Sequence, residues 1–129
     1  MPEIRTEYFP LKEETEAIIH VGLEVHKTLG FGFLEIVYKD ALEYEFLKND
    51  ILFTREKEYI IQYKDSILRH KFYADFVVFN SVVLEVKAKE GIAADDMARM
   101  INYLKCSGCK VGLILNFGRT KLDIKRMVF

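Results

Sequence analysis

Between residues 72 and 87 the chain reads Phe72-Tyr73-Ala74-Asp75-Phe76-Val77-Val78-Phe79, then Asn80-Ser81, then Val82-Val83-Leu84-Glu85-Val86-Lys87. A strand with one wet face alternates apolar and polar residues. These two runs are apolar at nearly every position, so both of their faces must be covered. Asn80-Ser81 is a turn signal between them. A chain built around such a pair needs helices on both sides of a sheet, and the rest of the sequence has to supply them.

Helical spacing occurs on both flanks. Residues 12–29 place Ile18, Gly22, Val25 and Leu29 at three- and four-residue steps, and Gly30-Phe31-Gly32 breaks the pattern. A second helix is predicted from about Phe33 to Asn49, with Leu34, Val37, Ala41 and Leu42 on one stripe and Glu35 beside it. A period of two begins after Ile51, giving a first strand over 52–63, a turn at Lys64-Asp65-Ser66 and a second strand over 67–79. Val82 to Lys87 forms the third strand. Residues 92–105 return to helical spacing, with Gly108 as a stop. Val111 to Phe117 then reads as a buried strand, and Ile124 to Phe129 as an edge strand. The order α-α-β-β-β-α-β-β implies an α/β chain of the α+β type, a mixed central sheet flanked by helices. At 129 residues, half of them apolar and 30% charged, it is a single domain over 1–129 with a probable N-terminal extension at 1–11.

Three ionisable residues in the two apolar runs need an explanation: Asp75, Glu85 and Lys87. Burying a charge costs several kcal/mol unless it is paired or holds a metal. Glu85 and Lys87 are two apart on a strand and share a face. Mg²⁺ takes oxygen ligands and commonly uses one or two carboxylates plus waters and phosphate oxygens. Asp75 and Glu85 as ligands, with Lys87 orienting a water or neutralising phosphate charge, are the equipment of metal-assisted phosphodiester hydrolysis. The competing reading is an ordinary strand ion pair with Asp75 in a turn. Register separates the two. A two-residue loop at Asn80-Ser81 makes facing residue numbers sum to 161 and puts Asp75 on the face opposite Glu85. A three-residue loop at 79–81, or a bulge, makes them sum to 160 and sets Asp75 against Glu85. The odd-numbered loop or bulge is the prediction.

The stretch His26-Lys27-Thr28-Leu29-Gly30-Phe31-Gly32-Phe33-Leu34-Glu35-Ile36-Val37-Tyr38 resembles the signature of the GxxExxY protein family, with Gly32, Glu35 and Tyr38 at its three named positions. Tyr73-Ala74-Asp75-Phe76, Leu84-Glu85-Val86-Lys87-Ala88, Asn102-Tyr103-Leu104-Lys105, Leu115-Asn116-Phe117-Gly118 and the ending from Lys121 to Val128 resemble that family's later motifs. The family is placed in the PD-(D/E)XK nuclease-like superfamily, so the resemblance implies a restriction-endonuclease-like core. It further implies Mg²⁺ or Mn²⁺ held by Asp75 and Glu85, Lys87 as the catalytic lysine and Glu35 completing the metal and catalytic set. Tyr103 matches the tyrosine of a Q-x-x-x-Y element, but Arg99 stands where the glutamine is expected, and Ala74 stands where the motif has proline. Unlike an amide, Arg99 cannot accept a hydrogen bond from a metal-bound water. It can clamp a phosphate, or pair with Glu85 or Glu35 in place of metal. Tyr38 and Tyr103 could position substrate or the groups behind the ligands, although lone tyrosines are more often core aromatics.

Other features carry less. Cys106 and Cys109 form a C-x-x-C pair at the end of a helical stretch, where no helix dipole lowers a thiol pKa, and no second cysteine pair offers a zinc site. His20 and His26 lie about 120° apart around a helix and are poor partners for one metal. Gly30-Phe31-Gly32 lacks the Lys-Ser/Thr of a phosphate loop. Residues 1–98 hold 12 Lys/Arg against 19 Asp/Glu, and residues 99–129 hold 7 against 1. This division leaves a basic C-terminal third suited to a phosphate backbone. No run is long enough to span a bilayer, so a cytoplasmic protein without membrane contact is expected. The leading expectation is a Mg²⁺-dependent nuclease acting on DNA or RNA, with a homodimer compatible with a small single-site domain. The alternative is a catalytically inactive module of the same fold that binds nucleic acid or a protein.

Overall fold

The computed structural model describes residues 9–129; residues 1–8, part of the expected N-terminal extension, lie outside the described residues. The chain runs α1 (Lys12–Leu29), α2 (Glu35–Lys48), β1 (Phe53–Tyr59), β2 (Gln62–Tyr63), β3 (Ser66–Ile67), β4 (Phe72–Val78), β5 (Val82–Lys87), α3 (Ala94–Ser107), β6 (Val111–Asn116) and β7 (Asp123–Val128). Five strands form a mixed sheet in the order β1-β4-β5-β6-β7. All neighbours are antiparallel except β5 and β6. A parallel pair needs a crossover, and α3 provides it.

Both faces of the sheet are covered, as the apolar runs of β4 and β5 require. On one face α1 and α2 bury Ile18, Val21, Val25, Tyr38, Leu42 and Phe46 against Phe76, Val78, Leu84, Val86, Leu113 and Leu115. On the other, Met100, Tyr103 and Leu104 of α3 pack on Ala74, Val77, Val83 and Ile114. Gly22 lets α1 approach β6: a Cβ there would meet Leu115 Cδ1 at 2.9 Å. The architecture is that of a restriction-endonuclease-like fold, in agreement with the expected class.

Three local expectations need correction. The first strand ends at Tyr59 rather than reaching 63. Residues 62–67 make a separate two-strand hairpin, and β4 starts at Phe72 rather than 67. Gln62, Tyr63, Ser66 and Ile67 are all exposed, so no core face holds them in the main sheet. The stripe of α2 is also rotated. Tyr38, Lys39, Leu42 and Phe46 are buried, whereas Leu34 is 75% exposed and precedes the helix. The Phe46 ring sets this phase, because it packs edge-on to Phe76 at 5.4 Å.

Candidate active site

The β4–β5 turn decides what faces what. Phe79 and Asn80 both adopt left-handed backbone, at φ 57° and 54°, and Ser81 N–H donates to Val78 C=O at 3.0 Å. The loop therefore has three residues, and the ladder pairs Val78 with Val82, Val77 with Val83 and Phe76 with Leu84. The next positions in that register are Asp75 and Glu85. There the ladder stops and side chains take its place. Asp75 N–H donates to Glu85 Oε2 at 2.8 Å, and Val86 N–H donates to Asp75 Oδ2 at 2.8 Å. Side alternation also breaks in β4, since Ala74 and Val77 both pack toward α3 while Phe76 and Val78 pack toward α1 and α2. The carboxylates sit in the opening this creates, both buried. Glu85 lies in the C-terminal half of β5, which pairs in parallel with β6, toward the end of an α/β sheet where ligands collect.

Their electrostatics are uneven. The second oxygen of Glu85, Oε1, has no hydrogen-bond partner among the described residues. Burial, with the Asp75 charge adding to it, pushes the Glu85 carboxyl up from 4.5 to about 8. Asp75 is compensated by a residue that sequence reasoning missed. Lys39 of α2, itself buried, donates to Asp75 Oδ1 at 2.9 Å and pairs also with Glu56 Oε2 of β1. The available signal was a lysine adjacent to Tyr38, within a helix whose apolar stripe was assigned one residue out of phase.

The remaining expected residues surround this pair without all joining it. Glu35 opens α2 and is half-buried; burial first, then Asp75, raises its carboxyl, while Lys87, Lys39 and Lys89 pull it down. It thus feels the site through charge, but among the described residues no three His, Cys, Asp or Glu side chains gather into a metal-binding group. The expected trio of Asp75, Glu85 and Glu35 is a pair with a third acid standing off. Lys87 lowers the Glu85 pKa, and its Nζ lies 3.9 Å from Asp96 Oδ1 of α3. Asp96, another residue the sequence did not flag, also binds Lys89 Nζ at 2.6 Å and accepts from Ala93 N–H at 2.8 Å, so it ties the lysine-bearing end of β5 to the start of α3. Arg99 is exposed and forms no ion pair among the described residues; the acid pair takes its cation from Lys39, not Arg99.

Both tyrosines act through backbone. Tyr38 is fully buried, stacked on Phe117 at 4.6 Å, and its hydroxyl donates to Gly30 C=O at 2.6 Å and accepts from Phe33 N–H at 3.2 Å. It pins the loop that delivers Glu35. Gly32 in that loop has φ 112°, which favours glycine. The Tyr103 hydroxyl donates to Tyr73 C=O at 3.0 Å and so holds β4 two residues before Asp75; burial raises its pKa. Each hydroxyl thus contacts main chain rather than either acid. Asn116, fully buried, clamps the chain beyond Lys87 by accepting from Lys89 N–H at 3.0 Å and donating to Lys89 C=O at 2.9 Å.

Cys106 and Cys109 are free thiols. His26 bonds the Arg119 carbonyl at 2.8 Å. No helix among the described residues is long and apolar enough to cross a membrane.

Comparison with known proteins points the same way. The crystal structure of SSO0001 superposes with a TM-score of 0.57 at 17% identity, covering 71% of this chain and 48% of that one, a likeness of fold. This chain thus spans about half the length of that protein. No curated protein matches. The family model of the PD-(D/E)XK nuclease superfamily matches residues 12–127, a span that holds the β4–β5 acid pair, Lys87 and every element that positions them. With that match over nearly its whole length, the chain belongs to the PD-(D/E)XK nuclease superfamily.

Proposed function

We propose that this domain is a divalent-metal-dependent nuclease that hydrolyses phosphodiester bonds in DNA or RNA. The observation that carries the reading is the meeting of Asp75 and Glu85 where the β4–β5 ladder opens, with burial and the Asp75 charge raising the Glu85 carboxyl to about 8. A buried carboxylate in that condition fits a hard cation, and an all-oxygen donor set suits Mg²⁺ or Mn²⁺. Asp75 and Glu85 would hold the ion directly, and Glu35 would complete the shell through a water. Bound there, the ion would polarise a phosphoryl oxygen and lower the pKa of a water.

The protein's own groups do the rest. Lys87, on the Glu85 face, places an ammonium where a scissile phosphate gathers charge, and Asp96 limits its reach. Asn116 and Tyr103 hold the backbone at either end of the site. Exposed Arg99 is available to meet a phosphate, and the basic C-terminal third would follow the backbone of the nucleic acid. The loop order supports a place in the GxxExxY branch. Gly32 permits the turn, Tyr38 ties it down, and Glu35 emerges at the helix start within reach of the Asp75 charge.

The test is hydrolysis of labelled single- and double-stranded oligonucleotides with Mg²⁺ or Mn²⁺. Activity is expected in the wild type, with losses of at least about a hundredfold in Asp75→Asn and Lys87→Met. The ion pair between Lys39 and Asp75 favours a second reading, an inactive module whose lysine stands in for the metal. Oligonucleotide binding without cleavage under any divalent metal would select that module.

A further inference from the structure

Lys39 occupies a helix face that otherwise buries Tyr38, Leu42 and Phe46, and its ammonium bridges two carboxylates of different standing. Asp75 belongs to the buried acid pair. Glu56 comes from β1, and half of its side chain is in solvent. Glu56 also has left-handed backbone, φ 54°, in the middle of a strand. The β1–β4 ladder pairs Arg55 with Phe76 and Lys57 with Ala74 but skips the position between, where the same register sets Glu56 against Asp75. A non-glycine residue holds such a conformation only where its surroundings impose it, and such outliers cluster at functional sites. Here the distortion coincides with the carboxylate's contact to Lys39.

We propose that Lys39 is a built-in counter-ion shared between Asp75 and Glu56, which neutralises the acid pair when no metal is bound and passes to Glu56 when a divalent cation binds Asp75. The inference rests on the reading of Asp75 and Glu85 as metal ligands. It makes Lys39 and Glu56 positioning residues that set metal affinity in opposite directions. Without Lys39 the facing carboxylates lack their competitor, and a cation binds more tightly. Without the Glu56 charge the lysine has nowhere to withdraw, and a cation binds more weakly. A bridge that merely braced α2 against the sheet would behave differently, since losing either end would loosen the site and weaken binding.

The experiment is calorimetric titration of the full chain with Mn²⁺ at fixed pH, beside metal-free thermal melting. Wild type, Lys39→Met, Glu56→Gln and Asp75→Asn are compared. Because a neighbouring charge shifts a carboxylate's proton affinity by one to three pK units, Lys39→Met should bind Mn²⁺ at least about tenfold tighter while its metal-free Tm falls. Glu56→Gln should bind several-fold weaker with little change in Tm. Weaker binding in both variants, or affinities within about twofold of wild type, overturns the proposal. Should Lys39→Met not fold, unchanged affinity in Glu56→Gln alone overturns it. Binding abolished by Asp75→Asn alone sinks the counter-ion proposal and keeps the ligands. Binding that Asp75→Asn leaves intact, or none in any variant, sinks the ligand reading and the proposal with it.

Discussion

Glu85 carries the sharpest electrostatic tension in the chain, and its consequences can be read by pH. Its carboxyl is raised to about 8 in the folded protein, against 4.5 for an ordinary glutamate. Between those values the native state retains a proton that the unfolded chain releases, so the stabilisation is complete below about pH 4.5 and is lost as pH rises through about 8. Metal-free Tm should therefore fall from about pH 5 to pH 8, and Glu85→Gln should flatten that fall. Metal requires the ionised carboxylate, so Mn²⁺ affinity should rise over the same range with proton uptake by buffer, measurable by calorimetry in buffers of different ionisation enthalpy. At this scale the sequence was informative where charge interrupts apolar strands: Asp75, Glu85 and Lys87 stand out because their neighbours cannot solvate them. Lys39 and Asp96 did not stand out. A lysine or aspartate on a helix is ordinarily solvated, and only packing of α2 and α3 onto the sheet gives these residues their partners.

Among the elements, the α1–α2 loop and the β4–β5 turn do most to bring the site together. Tyr38→Phe removes both loop contacts of the hydroxyl and leaves the Gly30 carbonyl short of a donor. The expected cost is about 1–2 kcal/mol in urea unfolding, with a fall in activity from misplaced Glu35. A stability loss without any change in activity would separate Glu35 from the reaction. The β4–β5 register was legible because chemistry and geometry constrained each other: two acids meant to share an ion require an odd loop, and residue numbers across the hairpin do sum to 160. The limits of α1 were equally legible, since the apolar stripe and the Gly30 break agree. The first strand was over-extended because alternation in 60–67 looks the same whether a residue faces a core or solvent. The phase of α2 was missed because Leu34 and Ile36 are apolar and exposed while Lys39 is charged and buried.

For the whole molecule, α1 and α2 on one face of the sheet and α3 on the other enclose the strands that carry the two buried acids. The charge division along the chain supplies the long-range field. Oligonucleotide affinity should fall linearly in log–log form with rising salt, and charge reversal at Lys121 and Lys125 should reduce the slope, as read by fluorescence anisotropy. A salt-independent affinity would remove the basic third from the interface. Fold class was legible at this scale because continuous apolar strands between amphipathic helices admit few arrangements; the ion pair on Asp75 was not, since it joins residues 36 positions apart. The central claim is that Asp75 and Glu85 form a cation site, and a crystal soaked in Mn²⁺ tests it most directly. The account predicts one anomalous peak within coordination distance of both carboxylates. A map with no peak there, with the Lys39 ammonium still seated on Asp75 at saturating Mn²⁺, would contradict it.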